Sequence, residues 1–206
     1  LQNTSATTTG SITRKDVTLS SITAAGKTYD GTVTASITGG SITTGIAGEA
    51  LSVSGSGTFD TKNAGAGKTV TVADVGALSK VNGTGDWANY NLVTTGSMTT
   101  TASIAQASLT VTASAVSKTY DATLSAGGSG VVGALAGAGD VVGGIGSQAF
   151  LDKNAGTGKT VRASGVTIKD ASNADMTGNY QISYVDSTGG VINKAPLERS
   201  EERRVG

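Results

Sequence analysis

The sequence predicts an all-β protein made of two tandem β-sandwich modules of the immunoglobulin-like kind, each of about 90 residues, set in a repeat array. Three observations lead there. Motifs recur in the same order some 91 positions apart. Short runs alternate apolar residues with threonine or serine, and glycine, asparagine and aspartate break those runs at spacings of roughly ten residues. No stretch keeps a helical period with capping residues at its ends.

The repeat is the strongest of these signals. Lys27-Thr28-Tyr29-Asp30 returns as Lys118-Thr119-Tyr120-Asp121, at an offset of 91. Lys62-Asn63-Ala64-Gly65 with Gly67-Lys68-Thr69-Val70 returns at the same offset, as Lys153-Asn154-Ala155-Gly156 with Gly158-Lys159-Thr160-Val161, and Phe59 returns as Phe150. Asn89-Tyr90 and Asn179-Tyr180 lie 90 apart. The junctions keep the register: Ile12, Ile104 and Ile192 each stand five positions before an aliphatic residue, namely Val17, Leu109 and Leu197. This divides the chain into residues 1–14 as the last strand of a preceding repeat, 15–106 as the first module and 107–195 as the second. Residues 196–206 read as the start of a third repeat followed by a tail, Arg199–Gly206, that looks like translated adapter DNA and is set aside. A period this long exceeds a solenoid rung of roughly 20–45 residues, so each module should enclose its own core, with neighbouring repeats of the same chain as its first partners.

Within the first module, strands are expected around Asp16–Ser20, Thr32–Ile37, Ala50–Ser54 and Lys68–Val72. In each, apolar side chains alternate with hydroxyl side chains, which puts one face inward. Threonine suits the outer face, being β-branched yet soluble. The second module repeats this at Leu109–Thr112, Thr160–Ala163, Gly165–Ile168 and Tyr180–Tyr184. Its middle, Ala126–Gly146, is mostly glycine, alanine and valine, which packs poorly and underdetermines strand register. Looser or shifted strands are expected there.

Composition narrows the chemistry. There is no cysteine and no histidine, which removes thiolate nucleophiles, imidazole bases and the ordinary zinc and haem ligand sets. Basic and acidic residues balance at 15 each, so nothing draws the chain to a polyanion, and nucleic acid is not an expected partner. Glycoside hydrolysis needs two carboxylates facing a cleft. Glu49 is the only glutamate of the first module, and the second has none before Glu198. No catalytic residue and no cofactor is expected.

Four further features bear on function. Gly65-Ala-Gly-Lys-Thr69 and Gly156-Thr-Gly-Lys-Thr160 suggest a phosphate loop, but Lys62 and Lys153 stand where its first glycine belongs and a strand follows instead of a helix, so a hairpin turn is expected. Tyr29-Asp30-Gly31 reads as a strand running into an Asp-Gly turn, with the tyrosine packed and its hydroxyl tethered. Exposed tyrosines stacking on sugars are the functional alternative for Tyr29 and Tyr120. Trp87, the only tryptophan and by its loop position the better candidate for stacking on a sugar, is read as packed at an edge, with Met176 near its place in the second module. Asp170, Asn173, Asp175 and Asn179 form an oxygen-rich loop, a weak calcium candidate whose spacing misses the EF-hand pattern and whose residue types shape turns unaided.

Lys-Thr-Tyr-Asp-Gly at 27–31, the run from Gly57 to Val70 and Asn-Tyr-Asn-Leu at 89–92 together resemble the YDG repeat of filamentous-haemagglutinin-like surface adhesins of Gram-negative bacteria. The second module departs in two places. Ala122 replaces Gly31, and Phe150-Leu-Asp-Lys replaces Phe59-Asp-Thr-Lys. The resemblance implies an extracellular, cell-surface location, two-partner secretion with an outer-membrane partner, and a non-catalytic role as structural spacer or stalk. Weak multivalent binding of host or bacterial surface glycans, or of another receptor, is the alternative.

Overall fold

The computed structural model describes residues 7–197; the adapter-like tail and residues 1–6 of the expected preceding strand lie outside them. The chain is all-β and its sheets curl. It forms two compact units. The first holds the residues up to Lys27 together with Val33–Ile104, and the second holds Thr28–Thr32 together with the residues from Ala105 onward. The five-residue loop that carries Tyr29, Asp30 and Gly31 therefore belongs to the second unit.

In the first unit the main sheet runs antiparallel through Leu19–Ala24, Thr34–Ile42, Leu51–Phe59, Gly65–Val72 and Met98–Ala105. Its alternating side chains supply the core: Leu19, Ile22, Ile37, Val53, Phe59, Val70 and Ile104 are buried, while the threonines and serines between them face out. The strand Leu51–Phe59 changes neighbour at Gly55. Its first half pairs with Ser79–Asn82 and its second with Thr34–Ile42, so the sheet bends around the interior. A short parallel pair, Lys15–Val17 with Tyr90–Leu92, adds Val17 and Tyr90 to the same core.

The second unit repeats the plan. Ala107–Thr112 runs parallel to Tyr180–Val185, now over six paired positions, and Ser187–Asn193, Gly156–Ser164 and Ser147–Phe150 form an antiparallel sheet. The change of neighbour recurs at Gly146, the counterpart of Gly55: Val141–Gly144 pairs with Thr167–Lys169, and Ser147–Phe150 with Gly156–Ser164. Gly146 lies at φ +69°, and a Cβ there would stand 1.9 Å from the Ser164 carbonyl oxygen, so only glycine fits the crossing. Leu109, Val111, Phe150, Val161, Ile168, Met176, Tyr180 and Ile192 form the core.

The glycine- and alanine-rich middle of the second module is built as expected. Where the first unit has nine-residue strands at Thr34–Ile42 and Leu51–Phe59, the second has Ser125–Ala126, Val131–Val132 and Val141–Gly144, with Val131, Val141 and Ile145 more than half exposed. The ends depart from the expectation. Residues 7–14 form no strand, because a strand is defined by its ladder with a neighbour, and Ile12 is fully exposed although its counterparts Ile104 and Ile192 are buried. Pro196 and Leu197 likewise form no strand.

Candidate functional site

Two turns of one shape organise the corner of each unit where the motif tyrosines gather. Ile46-Ala-Gly-Glu49 and Gly137-Ala-Gly-Asp140 each close with the acid's N–H donating to the carbonyl three residues back, at 3.2 and 3.1 Å. Each places its last glycine, Gly48 or Gly139, at φ +80°. The turn sets a carboxylate at the corner. Thr44, buried in the first unit, braces its turn by donating to the Glu49 carbonyl and accepting from the Ile46 N–H.

In the second unit that carboxylate is shared. The hydroxyls of Tyr29 and Tyr180 both donate to Asp140 Oδ2, at 2.9 and 2.8 Å, and the Gly137 N–H donates to the Tyr180 hydroxyl. The two rings meet edge to face with centroids 5.5 Å apart. Backbone fixes the loop on either side: the Tyr29 N–H donates to the Ala105 carbonyl at 2.8 Å and the Ala138 N–H to the Asp30 carbonyl at 2.9 Å. Tyr29 is 1 % exposed, so its ring offers no face to a sugar. In the first unit Tyr90 donates to Glu49 in the same manner. Neither Asp140 nor Glu49 was among the site residues expected from the sequence. The signal was the shared offset of 91 between two acids that each follow a glycine.

Burial first, and then the hydrogen bond to Asp140, push the Tyr29 pKa far above the ordinary tyrosine value. Tyr180 shifts the same way, burial again leading. A folded-state pKa above the unfolded one means that the unfolded chain ionises first as pH rises. Stability is then intact below pH about 10 and declines above it, as the unfolded tyrosines release protons that the folded ones keep. Denaturant midpoints measured from pH 8 to 12 check this, and a midpoint flat to pH 12 would refute it.

The Tyr-Asp-Gly segment follows the strand Lys27–Thr28 and turns as an Asx turn; that strand and the next, Thr34–Ile42, are not ladder partners. Asp30 Oδ1 accepts from the N–H and hydroxyl of Thr32, and Asp121 Oδ1 does the same for Thr123. Gly31 sits at φ +78° and its replacement Ala122 at +63°, so the second copy holds an alanine in a glycine conformation. The motif lysines lie over phenylalanine rings, Lys27 at 5.7 Å from the centroid of Phe59 and Lys118 at 5.5 Å from that of Phe150. Lys118 also bonds Asp121, which holds that carboxyl down to about 2. Tyr120 is 37 % exposed.

The two Gly-x-Gly-Lys-Thr segments lie inside strands as bulges, with register shifts between Gly65 and Lys68 and between Gly156 and Lys159. The turns expected there fall earlier, around Lys62-Asn63 and Lys153-Asn154. Gly67 and Gly158 take φ +61° and +65° at the bulges, which turn Lys68 and Lys159 back onto acids of the preceding turn. Lys68 pairs with Asp60 at 3.2 Å and Lys159 with Asp152. Asp152 stands one position later in its module than Asp60, so the pair persists although the motif letters differ.

Trp87 is 7 % exposed, its Nε1 donating to the carbonyls of Ser52 and Val81, and Met176 is buried in the second unit. Asp170 Oδ1 accepts from the N–H groups of Ser172 and Ala174, and Asp175 Oδ1 from that of Thr177. Asn173 takes φ +67°, and Asn179 is buried with its amide against Met176 Sδ. Among the described residues no three acids gather into a group that could hold a metal ion.

No curated protein and no solved structure matches the chain. The sequence does match the YDG domain over residues 13–101 and again over 105–188. With most of its length taken up by these two adjacent copies, and with an Asx turn at the Tyr-Asp motif in each, the chain belongs to the YDG domain family.

Proposed function

We propose that the two modules are structural spacers in the stalk of an exported bacterial surface adhesin of the filamentous-haemagglutinin-like, two-partner secretion type, and that they do no catalysis. The reading is supported chiefly by one observation: the most distinctive motif residues are engaged in holding loops, turns and bulges, module after module. Repeats that invest their distinctive residues in shape supply length, and length carries whatever binds farther from the cell. The extracellular location and an outer-membrane secretion partner belong to the same proposal.

The parallel ladders suit a load-bearing role. In each unit the first strand runs parallel to the strand that precedes the last, so a force that draws those two strands apart along their length loads the hydrogen bonds of the ladder in shear. Single-molecule stretching is expected to give two unfolding events, each releasing about 30 nm of chain. The second unit, with six paired positions against three, should yield at the higher force. In the exporting cell, replacing the two modules by unrelated β-modules of equal length should leave adhesion intact. Adhesion lost on that exchange would sink the spacer reading.

A further inference from the structure

Asn82 is followed by a glycine, and no other asparagine of the chain is. It ends the strand Ser79–Asn82, which pairs with residues 51–54, and both Asn82 and Gly83 are exposed. Residues 83–86 then leave the ladder and lead into the short turn Trp87–Asn89. The backbone as it stands admits only glycine after Asn82, because a Cβ at Gly83 would lie 2.5 Å from the Ala50 carbonyl oxygen. At the matching place in the second module, 91 positions on, Asn173 is followed by Ala174.

The Asn82 side chain is held at both ends of its amide. Its Oδ1 accepts from the Trp87 N–H at 2.9 Å, and its Nδ2 donates to Asp86 Oδ1 at 3.1 Å. These bonds tie the Trp87 loop to the end of the strand. They also polarise the amide: a donor on Oδ1 stabilises the negative charge that this oxygen gains when a nucleophile adds to Cγ. The backbone nitrogen of Gly83 is the nucleophile that the chain itself supplies. With no side chain on Gly83, its approach to Cγ is uncrowded.

We propose that Asn82 is a site of spontaneous modification, at which the Gly83 nitrogen attacks the Asn82 side-chain amide and converts the residue to aspartate and isoaspartate, loosening the loop that carries Trp87. The bond from the Gly83 nitrogen to Cγ forms and the Cγ–Nδ2 bond breaks. Nδ2 leaves as ammonia, and the proton it gains balances the one that the Gly83 nitrogen gives up to water. Water then opens the cyclic imide. Opening at Cγ leaves aspartate, and opening at the Asn82 backbone carbonyl leaves isoaspartate, whose main chain is longer by a methylene. No electrons are exchanged with any other species. Both products carry a new negative charge beside Asp86, where the amide had donated a hydrogen bond, and like charges at that distance repel. Isoaspartate also displaces the acceptor of the Trp87 N–H.

The test ages the full chain in a warm, mildly alkaline buffer, maps its peptides by mass spectrometry and scores isoaspartate by enzymatic methylation. In the native chain the Asn82 peptide should convert at least about tenfold faster than the Asn173 peptide. It should also convert faster than in the same chain unfolded in guanidinium, where the bonds from Trp87 and to Asp86 are lost. Asn82→Gln, whose longer side chain disfavours the ring, should leave that peptide unchanged. The Trp87 fluorescence transition of the aged chain should move to lower denaturant, and that of freshly prepared Asn82→Asp should move the same way. Conversion at Asn82 that is slower in the native chain than in the unfolded one overturns the proposal, and so does a chain converted at Asn82 whose Trp87 transition has not moved. Neither result depends on the spacer reading.

Discussion

Replacing Tyr29 by alanine is expected to destabilise the second unit by about 3–5 kcal/mol, the range for removing a buried aromatic ring. The residue sits among the motifs of the first module, yet its ring is buried in the second unit against Tyr180, and its hydroxyl is one of two that share Asp140. Tyr29→Phe keeps the ring and gives up the hydrogen bond, for a loss of about 1 kcal/mol. Tyr120→Ala, the same change at the same motif position, should stay within about 0.5 kcal/mol because that ring is already partly in water. Trp87 lies in the first unit and reports on it alone, whereas circular dichroism follows both. The Tyr29→Ala loss should appear in the circular dichroism transition and leave the Trp87 fluorescence transition in place. A shift confined to Trp87 would show the loop to be serving the first unit instead.

The second large effect concerns the residue two positions on. Gly31→Ala should cost about 2–4 kcal/mol, since the left-handed conformation alone costs an alanine about 1–2 kcal/mol and the new Cβ would also meet the Ala138 nitrogen at 2.4 Å. Ala122→Gly reverses only the conformational part. Relief of about 1–2 kcal/mol is opposed by the extra freedom glycine gives the unfolded chain, about 0.4–1 kcal/mol, leaving a net gain of about 0.5–1 kcal/mol. The two exchanges are chemically opposite and unequal in size. Chemical denaturation of both variants measures the inequality, and equal magnitudes would mean that the contact with Ala138 carries no weight.

How much of this was legible depended on whether a signal was local. Alternation of valine, isoleucine and threonine fixes which face of a strand is buried within a few residues, and Val70, Val72, Leu109 and Val111 are buried as their pattern requires. The poor register of Ala126–Gly146 was legible for the same reason, since residues with little side chain leave little to specify pairing. Ladder partners are another matter. Nothing near Lys15 says that it will run parallel to a strand at Tyr90, and nothing near Asp16–Ser20 separates the parallel strand Lys15–Val17 from the antiparallel strand that begins at Leu19. Gly55 and Gly146 were visible as glycines, but their work, passing one strand from one neighbour to another, shows only when all three strands are in place. The tyrosine corner was half legible. A packed Tyr29 with a tethered hydroxyl follows from the residue's own chemistry. That its acid would come from Asp140, 111 positions along the chain, does not.

The lysine bulge teaches something about how such repeats drift. Once Gly67 or Gly158 has turned its lysine back across the preceding bend, the anchoring carboxylate need only fall within the sweep of a flexible four-carbon arm, and Asp60 and Asp152 meet that condition from adjacent positions. The bend can therefore accumulate substitutions while its clasp survives, and two modules can grow further apart in spelling than in shape.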